Sequence, residues 1–134
     1  MSDIQPGSEI PSLTLPAISR GTLALYAGAS GDHNPIHIDI DFAKKAGMDD
    51  VFAQGMLSMA YLGRFITAWQ PQSKLRKFTS RFSTITQLYD VITCSGTVIE
   101  LIEQDGETLA RCEIQACRAD GVQTLAGEAL IAVS

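Results

Sequence analysis

Gly55-Met56-Leu57-Ser58-Met59-Ala60-Tyr61-Leu62-Gly63-Arg64-Phe65-Ile66-Thr67-Ala68 is apolar on nearly every face. A helix with no broad polar face is buried on most sides, and one this short cannot span a bilayer, so it belongs at the centre of a domain. Gly55 falls at its start, where backbone N–H groups lack intrahelical partners and the positive end of the helix dipole lies. What the rest of the chain wraps around such a helix decides the fold.

On its C-terminal side, beyond Trp69-Gln70-Pro71, the hydrophobic period changes to two. Thr108, Ala110, Cys112, Ile114 and Ala116 share one face of a strand, with Arg111, Glu113 and Gln115 on the other. Segments 75–86, 90–103 and 122–133 predict further strands, and Asp105-Gly106 and Asp120-Gly121 are hairpin signals between them. On the N-terminal side, residues 9–18 contain Pro11 and Pro16, which exclude a central strand and predict an extended edge segment. Ser19 can cap a short helix running to about Ala27, with Gly28 near its end. Asp39 or Asp41 can cap a second that stops at Gly47. The expectation is a four- or five-stranded, mostly antiparallel sheet with one apolar helix against it, an α+β fold.

A chain of 134 residues is long enough for one domain with a real core and too short for two, so a single domain over 1–134 is expected. The net charge of −5 argues against nucleic acid, whose binding needs a basic face. No cationic start leads into an apolar run, and no uncharged stretch reaches transmembrane length, so neither a signal peptide nor a membrane span is expected. Cys94, Cys112 and Cys117 are too few for a disulfide scaffold; reduced thiols in a cytoplasmic protein are the simplest expectation. With no Cys-x-x-Cys pair and both histidines distant, no metal site is expected.

Those histidines lie within Tyr26-Ala-Gly-Ala-Ser-Gly-Asp-His-Asn-Pro-Ile-His37. Gly31 and Asn34-Pro35 exclude a regular helix or central strand, so Asp32 and His37 are placed on a tight loop that can aim short polar side chains into a cleft. A carboxylate and an imidazole held together can exchange protons with a substrate. Each also has an ordinary reading: Asp32 as a loop-forming Asx residue, His37 as a satisfied structural histidine. For His33 a surface or pocket-rim role competes with a catalytic one.

The segment from Tyr26 to Leu57, with its Ser-Gly-Asp-x-Asn-Pro-Ile-His core and the later Gly-Met-Leu, resembles the signature of the MaoC-like dehydratases, which include the (R)-specific enoyl-CoA hydratases. The resemblance implies a hot-dog domain, a curved antiparallel sheet wrapped around a central buried helix. It implies that Asp32 and His37 are the catalytic pair, that Asn34 and Pro35 form the turn presenting them, and that the Gly55 N–H binds the thioester carbonyl oxygen. Gln54 departs from the pattern, which usually has His before that glycine, and this bears on how the helix start or the substrate is held.

The implied activity is a hydro-lyase adding water to a trans-2-enoyl thioester, or dehydrating the (R)-3-hydroxyacyl thioester, with an acyl-CoA or acyl-carrier-protein substrate and no cofactor. The alternative is a non-catalytic acyl-thioester-binding or partner subunit of a heteromeric dehydratase; a hot-dog thioesterase is a third reading. Hot-dog domains join sheet edge to sheet edge, so a homodimer, or a heterodimer with a related chain, is expected. Ser58, one turn after Gly55, can hydrogen-bond into the site or back onto its own helix. Met56, Met59, Tyr61, Leu62 and Phe65 are core, acyl-binding wall, or both. Arg64, Lys74, Arg76, Lys77 and Arg81 can attract the phosphates of coenzyme A or a carrier arm, or form a solvated face.

Overall fold

A computed structural model describes residues 4–133; residues 1–3 and 134, which the expected domain includes, lie outside the described residues. Five strands form one antiparallel sheet: β1 (Glu9–Thr14), β2 (Leu75–Phe82), β3 (Thr93–Gln104), β4 (Glu107–Cys117) and β5 (Gln123–Ala132). Their spatial order is β1-β3-β4-β5-β2. The Pro-containing segment lies at an edge, as its sequence predicts, and its pairing with β3 slips between Ile10 and Leu13, around Pro11. Asp105 (φ 50°) and Gly106 (φ 79°) both take the left-handed conformation that a tight β3–β4 hairpin requires. Of the residues expected to share one face of β4, Ala110, Cys112, Ile114 and Ala116 are buried and Thr108 at the strand's start is half-buried; Leu109 is buried too, in a separate cluster with Leu130 and Ala132.

The strand predicted over 75–86 ends early and the one predicted over 90–103 starts late, so that 83–92 is a loop. Its Thr-, Ile- and Leu-containing sequence suits a strand, but its backbone bonds elsewhere: the Ala53 N–H donates to the Thr86 carbonyl (2.9 Å) and the Ile18 N–H to the Asp90 carbonyl (3.0 Å). Tyr89, at φ 69°, interrupts any ladder.

Three helices follow the predicted pattern with one shifted boundary. α1 (Arg20–Ser30) is capped by Ser19, whose Oγ accepts from the Thr22 N–H at 3.1 Å. It runs past Gly28 and ends at Gly31, whose φ of 79° closes the helix by an N–H bond to the Ala27 carbonyl. α2 (Ile40–Lys45) is capped by Asp39 rather than Asp41, the carboxylate accepting from the Asp41 and Phe42 N–H groups. α3 (Gly55–Trp69) is the apolar helix, and it buries Leu57, Ser58, Leu62, Phe65 and Ile66 against the sheet. Each large apolar side chain so removed from water contributes about 1.5–3 kcal/mol. Burial of α3 is one-sided, however: Met56 is 56% exposed, and Ala60, Arg64, Thr67 and Ala68 also face out. Among the described residues no helix is long and apolar enough to cross a membrane.

One row of paired residues, Ile10, Gly96, Ile114, Gly127 and Ser80, crosses all five strands. A Cβ on Gly96 would lie 2.8 Å from the Glu113 carbonyl oxygen, and one on Gly127 would run into the Thr79 carbonyl oxygen. Two glycines therefore flank Ile114 where neighbouring backbones leave no room for a side chain.

Candidate active site

Gly31 ends α1 and opens the loop bearing the predicted acid–base residues. Local hydrogen bonds fix its shape: the Asp32 N–H donates to Ser30 Oγ (3.1 Å), the Asn34 N–H to Asp32 Oδ1 (3.3 Å) and the Ile36 N–H to Asn34 Oδ1 (3.1 Å). These Asx-type bonds end in a single 3₁₀ turn, Pro35–His37, with proline at its first position. His37 points inward and is 8% exposed, whereas Asp32, His33 and Asn34 are exposed.

Asp32 thus divides its two oxygens. Oδ1 supports the loop, as the ordinary reading of this residue requires, and Oδ2 lies 3.8 Å from His37 Nε2. The other ring nitrogen, Nδ1, is 2.8 Å from the Phe52 carbonyl oxygen. A carbonyl can only accept, so Nδ1 carries the proton of the neutral ring and the Nε2 lone pair faces Asp32. The Phe52 ring meets the imidazole edge-to-face at 5.0 Å. At 3.8 Å, Nε2 and Oδ2 are too far apart for a direct hydrogen bond and suitably spaced to share a water.

From Phe52 the chain runs directly to the start of α3. Gly55 is the first helical residue, and no side chain caps the N–H groups there. Gly55 and Ser58 line a cleft of about 270 Å³ together with Phe52, Phe82, Ile85 and Thr86. Asp32 and His37 do not line this cleft; Phe52 joins the two regions, its carbonyl holding His37 and the residue itself forming part of the wall. Ser58 does not bond back onto its own helix; its partner is another residue of the cleft. Its hydroxyl pairs with that of Thr86 at 3.0 Å, both side chains being buried.

Gln54 is fully buried, and its Nε2 donates to the Leu23 carbonyl of α1 at 3.0 Å. This clips the middle of α1 to the residue before Gly55 and leaves Gln54 Oε1 without a partner. An exposed pair, Arg20 with Asp50 at 2.7 Å, braces the start of α1, and the Arg20 guanidinium holds the Asp50 carboxyl below the usual carboxylate range. The basic cluster is broken up: Arg76 is bidentate on Glu107, which it holds low in pKa, and Lys77 lies 3.6 Å from Glu128. Of the apolar α3 residues, Leu62 and Phe65 are core, Met59 and Tyr61 pack on its margin, and Met56 is exposed.

Phe52, Phe82 and Thr86 escaped the sequence reading. Phe52 acts through its carbonyl, which no residue type announces. Phe78 and Phe82 do carry a signal, an apolar pair four apart on one strand face, opposite Gly55 and Gly63 of the helix.

A family model described as MaoC like domain matches residues 6–118. The chain is 27% identical over 104 residues to the mitochondrial 3-hydroxyacyl-[acyl-carrier-protein] dehydratase FERN of Solanum lycopersicum, a match covering 78% of this chain and 63% of that protein. It is 26% identical over 118 residues to the (R)-specific enoyl-CoA hydratase of Rhodospirillum rubrum, covering 87% and 80%. Among solved structures, the unliganded R-hydratase PhaJ1 of Pseudomonas aeruginosa superposes with a TM-score of 0.86 at 27% identity, over 97% of this chain and 82% of that one. The sheet wrapped on α3 is thus the hot-dog fold of these hydratases.

Proposed function

The chain belongs to the MaoC-like family of hydratases and dehydratases, and on that footing we propose that it adds water to a trans-2-enoyl thioester, or removes it from the (R)-3-hydroxyacyl thioester. The observation that carries this reading is the facing of Asp32 Oδ2 and His37 Nε2 across 3.8 Å, with the far atom of each group held by backbone. A water in that gap donates its two protons to two acceptors, Asp32 Oδ2 and His37 Nε2. In hydration its oxygen bonds to the β-carbon, one of its protons passes to the pair, and a proton passes from the pair to the α-carbon. The pair then regains its starting charge. General acid–base help of this kind is worth roughly 10²–10⁴-fold.

As the β-carbon is attacked, electron density moves onto the thioester oxygen. The uncapped start of α3 supports Gly55 as the donor there, and loss of one such donor costs about 2.7–4 kcal/mol. A coenzyme A or carrier-protein thioester is the substrate class, and Phe52 is a cleft wall that also touches the proton-handling loop. The open side of α3 supports assembly with a second hot-dog chain, the same or related, that completes the acyl site.

The test is the loss of conjugated thioester absorbance from crotonyl-CoA and a longer trans-2-enoyl-CoA, for the wild-type protein and Asp32→Asn. Turnover lost in the variant is the expected result. Turnover that survives it rejects the mechanism, and a wild-type protein that binds acyl thioesters without turning them over is the non-catalytic subunit.

A further inference from the structure

Phe82, the last residue of β2, pairs with Leu125 and places its ring against the start of α3. A Cβ on Gly55 would lie 3.2 Å from Phe82 Cε2 and 3.5 Å from Cδ2, so the ring lies against the side-chain-less face of the residue whose N–H is the proposed oxyanion donor. Four residues earlier, Phe78 stands over Gly63 in the same way, at 3.3 Å from that glycine's would-be Cβ. The two rings have the same partner type and opposite surroundings. Phe78 is packed on the main core, whereas Phe82 is 53% exposed at the mouth of the cleft that Gly55 and Ser58 line. A core position explains the first ring. It does not explain the second.

The backbone at Phe82 is held on both sides, by the ladder to Leu125 and by the Ser83 N–H bond to the Thr124 carbonyl (2.9 Å). Its freedom is therefore rotation of the ring itself. Other walls are tied down: Ser58 and Thr86 hydrogen-bond each other, and Thr124 Oγ1 donates to the Ala116 carbonyl at 3.1 Å. Phe52, Ile85 and Leu125 add apolar surface, so the cleft suits a hydrocarbon chain. A thioester whose carbonyl reaches the Gly55 N–H must send its acyl chain past the Phe82 ring.

The geometry points to Phe82 as the specificity-determining wall of the acyl cleft, limiting how long or bulky an acyl group can lie beside Gly55. This role rests on the acyl-thioester reading given above and adds to it the residue that selects among such substrates. It is a matter of size, so truncation and enlargement act in opposite directions.

The experiment compares kcat/KM for crotonyl-CoA and trans-2-decenoyl-CoA in wild type, Phe82→Ala and Phe82→Trp, with Phe82→Leu as the milder truncation and thermal melting as the folding check. Phe82→Ala is expected to raise the long-to-short ratio at least about tenfold, the scale set by a methylene or more of pocket space, and Phe82→Trp to lower it. A ratio unchanged in both, or both substrates shifted equally, overturns the role. Calorimetric Kd values for butyryl-CoA and decanoyl-CoA read the same ratio without chemistry. Binding without turnover rejects the hydro-lyase and still judges Phe82 by its Kd ratio; a wild-type protein that neither binds nor turns over any of these thioesters rejects the acyl cleft and Phe82's role with it.

Discussion

The Asp32–His37 loop and the cleft at the start of α3 are built by opposite means. Within the loop, each side-chain support spans two residues: Ser30 to Asp32, Asp32 to Asn34, Asn34 to Ile36. In the cleft region the supports come from afar, Ser58 from Thr86 and Gln54 from Leu23, 28 and 31 residues away. Among the described residues, the hydrogen bond that ties the first region to the second is that between His37 and the Phe52 carbonyl. Short-range bonds let the loop form its shape almost regardless of the rest, whereas the cleft exists only once the sheet has closed on the helix. Changes in the loop should therefore alter chemistry and spare stability, and changes in the cleft should do the reverse unless they touch substrate.

The largest effect tests the loop. Asp32→Asn keeps an oxygen able to accept from the Asn34 N–H, so the melting temperature should hold while turnover falls roughly 10²–10⁴-fold. A matching loss of stability would erase the distinction between the regions. Next comes the buried hydroxyl pair: Ser58→Ala leaves Thr86 Oγ1 without its partner and should cost about 1–3 kcal/mol in urea unfolding. Adding Thr86→Val should cost much less than a second such penalty, because both partners are then gone.

Gln54→Leu gives a smaller effect of opposite sign. It removes a hydrogen bond whose acceptor sits within α1, and it also removes a buried oxygen with no partner, so unfolding should become harder by about 1 kcal/mol. Near neutral pH no effect at all is expected from the thiols of the sheet beneath both regions. Burial pushes the Cys94 thiol up to about 12 and the Cys112 thiol to about 11. Because the folded values exceed the ordinary one of 9.0, these thiols cost nothing below pH 9, and stability should decline as pH rises from there toward 11. In native protein below that range, a thiol reagent should label the partly exposed Cys117 well before the other two.

The same contrast explains what could be read from sequence. The loop was legible because Gly31, Asp32, Asn34 and Pro35 encode its turns among themselves, and the α3 span and the Asp105-Gly106 hairpin are equally local. The boundary of α1 was not: Gly28 resembles a terminator, yet the left-handed residue that closes the helix is Gly31. The end of β2 was hidden in residues that suit a strand, since their backbone partners, Ala53 and Ile18, lie far back in the chain. Gln54 could be seen to differ from the resembling family, but its hold on Leu23 required the tertiary structure.

Gly96 and Gly127 carry a consequence for how such a protein can change over generations. Ordinary residues there collide with carbonyl oxygens of neighbouring strands, which cannot swing aside, and at Gly96 with the Ile114 side chain as well. The close approach of the strands at these two positions is therefore a fixed inheritance, closed to gradual adjustment by one methyl group at a time. Diversification toward new acyl groups has to happen where a side chain can yield, and at the mouth of the cleft the exposed ring of Phe82 is such a place.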